Sequence, residues 1–224
     1  MLVRDRMTSA VVTVEPKTPI FDALALMKEK RIRRLPVMKG RHLVGIITWT
    51  DLMRASPSPA TSLAAWEIPY LLMKAPVAEV MTREPLTIAP TATIEEAAVL
   101  MRQHKIGGLP VMKDGTLLAI ITESDVLDAF IDLMGLRRGG ARLTLEVADR
   151  VGALDDVMRA IRDCGVNIHS LAAYPVNGAG QVVVRVDAPY PLHLVQTLEE
   201  RHIKVVHLAP LPEAEETVGR GAVR

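Results

Sequence analysis

Two stretches of seven residues decide the fold: Gly45-Ile46-Ile47-Thr48-Trp49-Thr50-Asp51 and Ala119-Ile120-Ile121-Thr122-Glu123-Ser124-Asp125. Each is a short apolar run that ends in Thr-x-x-Asp. The apolar run is typical of a buried strand, and threonine followed by an acid three residues later is typical of a helix start. The pattern therefore predicts a strand that enters a helix, with the threonine as the cap and the aspartate near the positive end of the helix dipole.

Both stretches belong to an internal repeat. Residues 3–55 align with residues 77–129 without a gap, and 21 of the 53 aligned positions are identical. A duplication of this length predicts two copies of one structural unit. A unit of about 53 residues buries too little apolar surface to be stable alone, so we expect the two copies to pack on each other.

Each copy predicts the order strand, helix, strand, strand, helix. A first strand is predicted at 11–14 and at 86–88, where an apolar run is closed by a proline. Apolar residues at i, i+3, i+4 and i+7 then predict a helix in each copy. They are Ile20, Ala23, Leu24 and Met27, and Ile94, Ala97, Ala98 and Met101. Two further strands follow at 35–38 and 43–48 and at their equivalents, with Asp114-Gly115 as a hairpin turn in the second copy.

The pattern changes after Arg137–Ala141, Arg-Arg-Gly-Gly-Ala, whose two glycines predict a hinge. The hinge would let a ligand bound on one side influence the other. Beyond it, apolar alternation and helical spacing follow one another in the order βαββαβ. The residues that carry this pattern are Leu143, Leu145 and Val147, then Leu154, Val157, Met158 and Ile161, then 166–173 and 181–186 around Asn177-Gly178, then Leu192, Val195 and Leu198, and last 203–208. This order predicts a four-stranded antiparallel sheet with both helices on one face.

The fold class is therefore α+β, in five segments. They are the first repeat at 1–55, a linker at 56–76, the second repeat at 77–135, the βαββαβ domain at 141–209 and a tail at 210–224. The linker starts as a Pro/Ser-rich loop, and 62–74 predicts a short helix on which Trp66 and Tyr70 share a face for packing or, less favoured, for a ligand. The tail is charged and aperiodic, which predicts disorder.

Composition excludes several classes of function. Lys and Arg number 27 against 26 Asp and Glu, and aromatic residues are 3% of the chain, so neither a strong positive field nor a base-stacking surface is available for nucleic acid. The one cysteine, Cys164, excludes an intramolecular disulfide, and we expect it to be a buried small hydrophobe. The N-terminus has no signal-peptide pattern and no apolar run is long enough to span a bilayer, so we expect a cytoplasmic protein without a membrane partner.

Catalytic and metal motifs are missing from the sequence. The six histidines have no metal-ligand spacing; they are His42, His104, His169, His193, His202 and His207. The chain also lacks a phosphate-binding P-loop, a nucleophile-elbow serine and a GxGxxG motif. We therefore expect neither an enzyme nor a metal site.

The repeat, with its Leu-Pro-Val and Ile-Ile-Thr-x-x-Asp elements, resembles a tandem pair of CBS domains. The resemblance implies a disc-like module with adenine-nucleotide clefts between the two domains. In that family the aspartate holds the ribose, the threonine lies near the phosphate and the Leu-Pro-Val strand helps to wall the adenine. By position this implies Thr48, Asp51 and Val37 for one cleft, with Thr18 as a weaker candidate, and Thr122, Asp125 and Val111 for the other.

The copies differ where phosphates would lie. Arg33 and Arg34 of the first copy align with Gly107 and Gly108 of the second. In one interpretation the arginines complement the end of a helix dipole in solvent. In the other they bind phosphate through planar donors, so that the first cleft takes the phosphorylated ligand and the second prefers a neutral adenosine compound or none. A cation of a paired CBS module can also reach across, which would give the arginines to the second cleft.

The βαββαβ segment resembles an ACT domain, whose loop after the first strand usually reads Asp-x-Pro-Gly. Here the loop is Asp149-Arg150-Val151-Gly152, with valine in place of proline. The resemblance implies a small amino-acid effector at Asp149, Arg150, Val151 and Gly152, with Asn167 of the second strand facing the same region. Structural reasons are also sufficient for this loop, since Asp149 can cap the helix and Gly152 suits a tight turn.

Two CBS domains followed by an ACT-like domain resemble the acetoin utilisation protein B family, which implies a role near acetoin or central carbon metabolism. We expect a regulatory protein without cofactors that binds AMP, ADP, ATP or another adenosine compound. We also expect a homodimer, because a lone βαββαβ sheet exposes edge strands. The protein target is not indicated. The alternative is an interaction or scaffold module whose clefts bind no physiological nucleotide.

Overall fold

The computed structural model describes residues 1–55, 75–176 and 178–211. The chain divides into two compact units, Met1–Leu127 and Asp128–Arg224. The predicted linker helix at 62–74, with Trp66 and Tyr70, lies outside the described residues. The tail predicted at 210–224 starts too early, because Pro210 and Leu211 belong to the last strand, and its remainder lies outside the described residues. Within the described part of the chain, no helix is long and apolar enough to cross a membrane.

The first unit contains the first repeat and the second repeat as far as Leu127, within its last helix, and the central elements of both repeats confirm the prediction. In the first copy these are α1 (Ile20–Glu29), β1 (Arg34–Lys39), β2 (His42–Thr48) and α2 (Trp49–Ala55). In the second copy they are β3 (Thr82–Arg83), α3 (Ile94–His104), β4 (Gly108–Lys113), β5 (Thr116–Thr122) and α4 (Glu123–Leu133). The helical spacing has its expected cause, since Ile20, Ala23 and Met27 are buried on one face of α1.

The predicted first strands at 11–14 and 86–88 are wrong in extent. Each is reduced to a single parallel bridge, from Val14 to Val37 and from Ile88 to Val111. The backbone of Val14 donates to the Pro36 carbonyl at 3.1 Å and its carbonyl accepts from Met38 at 2.8 Å, and the ladder continues no further. The residues before each bridge belong instead to a segment that pairs with the other copy.

The two copies exchange their N-terminal segments. Thr8 forms both backbone hydrogen bonds of an antiparallel bridge with Ile120 of the second copy, at 2.9 and 3.1 Å. The equivalent residue of the second copy, Thr82, pairs with Ile46 of the first. This reciprocal pairing joins the copies through backbone hydrogen bonds and brings residues near the N-terminus to the end of β5.

The second unit has the predicted βαββαβ order. Its elements are β6 (Gly140–Val147), α5 (Ala153–Asp163), β7 (Ile168–Val176), β8 (Ala179–Val186), α6 (Leu192–Glu200) and β9 (Lys204–Leu211). The strands form one antiparallel sheet in the order β7-β8-β6-β9. Buried residues of both helices, such as Val157 and Leu198, share one core cluster with Leu143 of β6, so both helices cover the same face.

The prediction of a hinge at Arg137–Ala141 is wrong for its second glycine, Gly140, which belongs to a strand. Gly140 is the first residue of β6 and pairs with Leu211. Its φ is +115°, and a Cβ there would lie 1.9 Å from the carbonyl oxygen of Val186. Glycine is therefore required at this position by close packing inside the sheet.

Candidate functional site

Thr122 and Asp125 form the cap of α4. Asp125 Oδ2 accepts from the backbone N–H of Thr122 at 2.9 Å and from its hydroxyl at 2.7 Å, and the Asp125 N–H donates to Thr122 Oγ1 at 3.4 Å. Thr48 and Asp51 repeat the pattern at 2.9, 2.6 and 3.3 Å. This is a capping box with aspartate in place of the usual glutamate, so the predicted cap is confirmed in both copies.

The cap leaves one oxygen of each aspartate uncommitted. Within the described residues, every hydrogen bond to the side chains of Asp51 and Asp125 falls on Oδ2. An ionised carboxylate accepts on both oxygens. Both side chains are half-buried. The cap therefore fixes the orientation of the carboxylate and keeps Oδ1 available to accept from a hydroxyl group of a ligand.

A cavity of about 410 Å³ lies beside the cap of α4. Its lining comes from three parts of the first unit: Thr8 and 10–12, then 31–34 and Pro36, then Ile120 and 122–125. The pocket thus combines the cap of the second copy with the segment between α1 and β1 of the first copy. Its volume lies within the range of roughly 300–1,000 Å³ that is usual for small-molecule sites.

Arg34 lies across the two glycines that occupy the equivalent positions of the second copy. A Cβ on Gly107 would lie 2.5 Å from Arg34 Nη2, and one on Gly108 would lie 2.9 Å from Arg34 Cδ. The same Gly107 Cβ would lie 3.0 Å from Glu123 Oε2, which places the guanidinium beside that carboxylate. Positions 34 and 108 are equivalent in the repeat and lie next to each other in the structure. An arginine at position 108 would therefore clash with the Arg34 side chain and repel its charge.

The electrostatics of Arg34 fit this placement. Burial lowers the pKa of Arg34 below its usual value, while the carboxylates of Glu123 and then Asp125 act in the opposite direction. Arg33 is exposed, and its carbonyl accepts from the N–H of Trp49 at 2.8 Å. The expectation that the arginines serve the first cleft is therefore corrected: both line the pocket of Thr122 and Asp125, in the reach-across arrangement.

Three other predicted residues lie elsewhere. Val111, predicted for this cleft, and Val37, predicted for the other, are fully buried, and neither lines this cavity. Pro36 lines it instead, because neighbouring residues of a strand point to opposite faces. Thr18, predicted for the first cleft, does not line this cavity; its hydroxyl accepts from the N–H of Glu15 at 3.1 Å in a local turn.

Sequence reasoning missed the N-terminal wall of the pocket, formed by Thr8 and residues 10–12. It also missed Ser124 and Glu123, which follow the capping threonine. Their position between the threonine and the aspartate of the Thr-x-x-Asp motif could have indicated them, because the residues of the first helical turn lie around the cap. No local pattern marked Thr8, because its partner is 112 residues away in the sequence.

A second cavity of about 410 Å³ lies at one end of the βαββαβ sheet. Asp149, Arg150 and Gly152 of the predicted effector loop line it, together with Tyr174 and Gln181. The Tyr174 hydroxyl donates to Gln181 Oε1 at 3.1 Å. The cavity therefore brings three loop residues together with two polar side chains that the sequence did not single out.

Two residues of the predicted effector site are not part of this cavity. Val151 is 99% exposed and does not line it. Asn167 precedes β7 at the opposite end of the sheet, where its N–H donates to Asp187 at 3.1 Å. Asp149 does not cap α5 either, since the cap position is taken by Gly152 with φ +89°. The expectations for Val151, Asn167 and the Asp149 cap are corrected accordingly.

Two further features concern metal binding and the single cysteine, within the part of the chain that the structure describes. There, no group of three or more His, Cys, Asp or Glu side chains could hold a metal ion. Cys164 is half-buried beside the core of the second unit, and its Sγ lies 3.4 Å from the hydroxyl of Thr197.

Comparison with known proteins identifies the repeat. The family model of the CBS domain matches residues 3–58 and 77–132, which together make half of the chain. A CBS domain-containing protein of Dictyostelium discoideum is 35% identical over 136 residues, which cover 60% of this chain and 94% of that protein. The inosine-5'-monophosphate dehydrogenase of Korarchaeum cryptofilum is 38% identical over 117 residues, or 52% of this chain and 21% of the enzyme.

A solved structure has the same arrangement of the repeat. The Vibrio cholerae protein AcuB, named for acetoin utilization, is 34% identical, and the match covers 61% of this chain and 94% of that chain with a TM-score of 0.51. The curated relatives differ in length, and this chain spans about a fifth of the dehydrogenase. The duplicated motif, the exchanged segments and these matches agree: the chain belongs to the CBS domain family and carries a tandem pair of CBS domains.

Proposed function

We propose that this chain is a non-enzymatic regulatory protein that binds a phosphorylated adenosine compound in the pocket beside Thr122 and Asp125. The observation that carries the proposal is the meeting, in one 410 Å³ pocket, of an oriented carboxylate with arginines of the other copy. The regulatory part of the proposal rests on the family, since CBS pairs are regulatory modules.

Each part of the pocket matches one part of such a ligand. Asp125 Oδ1 can accept from a ribose hydroxyl, because Oδ2 is already held by the cap. Arg33 and Arg34 offer planar donors to a phosphate. Val11, Val12 and Ile120 give apolar walls against which a base can pack.

In this proposal the two clefts take different ligands. The second cleft binds the phosphorylated compound, whereas the sequence analysis expected it in the first. The cap of Thr48 and Asp51 has the same geometry, but the first copy's arginines line the other pocket. The equivalent positions that would serve it are Gly107 and Gly108, which carry no charge. The first-copy cap therefore binds a neutral adenosine compound or remains a purely structural cap.

The test is a thermal-shift series with AMP, ADP, ATP, S-adenosylmethionine and NAD on the full chain, with guanosine monophosphate as a control for the base. A ligand at about 100 times its dissociation constant adds roughly 2.7 kcal/mol to the stability. For a chain of this size that raises the melting temperature by about 5–10 °C. A flat response to every adenosine compound at millimolar concentration would reject ligand sensing and leave the scaffold function, in which the caps serve stability alone.

We further propose that the second unit is an ACT-like domain that makes the chain a homodimer and binds a small amino acid near Asp149, Arg150 and Gly152. The support is the βαββαβ sheet, whose outer strands β7 and β9 each pair on one side only within the described residues, and the cavity at the loop. The likeness to AcuB supports a role near acetoin metabolism. Light scattering at micromolar concentration tests the dimer, and a monomer mass would reject it.

A further inference from the structure

The face of the βαββαβ sheet opposite α5 and α6 presents polar side chains in register; the segment after α4 reaches this face at Ser170, whose hydroxyl donates to the Met134 carbonyl at 2.8 Å. Leu143 and Leu145 of β6 enter the core, so Arg142, Thr144 and Glu146 point to the opposite face. The strand register orders this face into three rows across β7, β8, β6 and β9. The rows are Ser170, Arg185, Arg142 and Ala209, then Ala172, Val183, Thr144 and His207, then Tyr174, Gln181, Glu146 and Lys204.

Charge is compensated in the third row and not in the first. Lys204 Nζ lies 3.5 Å from Glu146 Oε2, so the third row holds an ion pair. In the first row Arg142 and Arg185 are directly opposite each other on adjacent strands. Like charges directly opposite in a sheet destabilise it, because their Cβ atoms are only about 5 Å apart.

The two arginines also lack an acidic partner in the described residues. Arg185 is 8% exposed, and its buried Nε has no hydrogen-bond partner there. Arg142 Nη1 donates to Thr144 Oγ1 at 2.7 Å, and neither arginine takes part in an ion pair in the described chain. Burial lowers the pKa of Arg185, and the charge of Arg142 lowers it further. No carboxylate is among the groups that shift this pKa. A buried cation without a counter-charge is costly, and an anion would remove that cost.

We propose that Arg142 and Arg185 form a binding site for a small oxyanion, a phosphate or carboxylate group of an effector, on the sheet face opposite α5 and α6. Guanidinium groups recognise such groups through parallel N–H donors. The Thr144 hydroxyl accepts from Arg142 and keeps its own proton to donate to the anion. The site belongs to the second unit, so it shares no residue with the pocket of Thr122 and Asp125 and does not depend on nucleotide binding there.

Calorimetry on the full chain carrying Arg31→Ala, Arg33→Ala and Arg34→Ala tests this site without the three arginines that line the nucleotide pocket. Inorganic phosphate and acetate are titrated separately at constant ionic strength, so that the two arms distinguish a phosphate from a carboxylate ligand. We expect saturable binding of at least one of them, weakened about 10- to 100-fold by Arg142→Gln through loss of a charge-assisted hydrogen bond. Lys204→Gln is the matched control, because it removes a cation of the same face that is already paired, and it should leave binding unchanged. Absence of saturable binding, or equal effects of the two substitutions, overturns the proposal.

A second variant keeps the test valid if Arg142→Gln folds poorly. Arg185→Leu replaces the buried cation with an apolar side chain and should raise the melting temperature in chloride buffer. It should also abolish the rise that phosphate or acetate produces in the parent chain. A lower melting temperature together with an undiminished anion-induced rise would refute the site.

Discussion

Gly107→Ala should weaken the binding of a phosphorylated ligand nearly as much as removal of Arg34 itself. The new Cβ would lie 2.5 Å from Arg34 Nη2 and 3.0 Å from Glu123 Oε2, closer than atoms approach without a shift. Both neighbours are the far ends of long side chains, so they move and the backbone stays in place. The displaced guanidinium then loses its charge-assisted hydrogen bond to phosphate, about 1.5–3 kcal/mol. The dissociation constant for AMP should rise about 10- to 100-fold.

The assay is calorimetric titration of AMP and of adenosine into the wild type, Gly107→Ala, Arg34→Ala and the double variant. Two substitutions that act through one contact are not additive, so the double variant should bind AMP within about threefold of Arg34→Ala alone. Adenosine is the control ligand, because it has no phosphate and its affinity should not change. Equal losses for AMP and adenosine, or full additivity of the two substitutions, would refute the role given to the glycine.

Three further predictions concern stability. Asp51→Ala removes both hydrogen bonds that Thr48 donates to its carboxylate, and urea unfolding should show a loss of about 0.5–2 kcal/mol; an unchanged midpoint would mean that the cap contributes nothing. Gly140→Ala places a Cβ 1.9 Å from a backbone oxygen at a positive φ, so the melting temperature of the second unit should fall by many degrees, and a wild-type melting curve would contradict the required glycine. Hydrogen bonds from Arg201, and then Arg162, hold the pKa of Asp163 below its usual value, so the stability that these bonds contribute is present above the usual pKa and is lost as the pH falls through the lowered pKa. Asp163→Asn should therefore flatten the acid limb of the stability curve, and an identical acid limb would count against this account.

The sequence predicted the elements that local pattern determines. The helix from Ile20 follows from apolar spacing, and the cap at Thr122 follows from a motif of four residues, because both depend on contacts within one or two turns. The order βαββαβ followed in the same way from alternation and spacing. Duplication added the expectation that the copies pack together, since neither has enough core alone.

Residues paired over long distances were not predictable in this way. The bridge from Thr8 to Ile120 joins two strand-like segments that carry no mutual signal, so the N-terminal wall of the pocket was missed. Phosphate binding by Arg34 was one of two interpretations of the sequence, and the cleft that Arg34 lines depended on the position of Gly108 across the repeat. Asn167 was assigned to the wrong end of the sheet because the direction of its strand, and not its residue type, decides which end it occupies.

The central claim is that the pocket beside Thr122 and Asp125, and not the equivalent cap of the first copy, binds a phosphorylated adenosine compound. The direct measurement is calorimetric titration of AMP into wild type, Asp125→Ala and Asp51→Ala, two substitutions that remove equivalent caps. The account predicts saturable AMP binding that Asp125→Ala abolishes and that Asp51→Ala leaves within about twofold of the wild type. Loss of AMP binding on Asp51→Ala with retention on Asp125→Ala would contradict it.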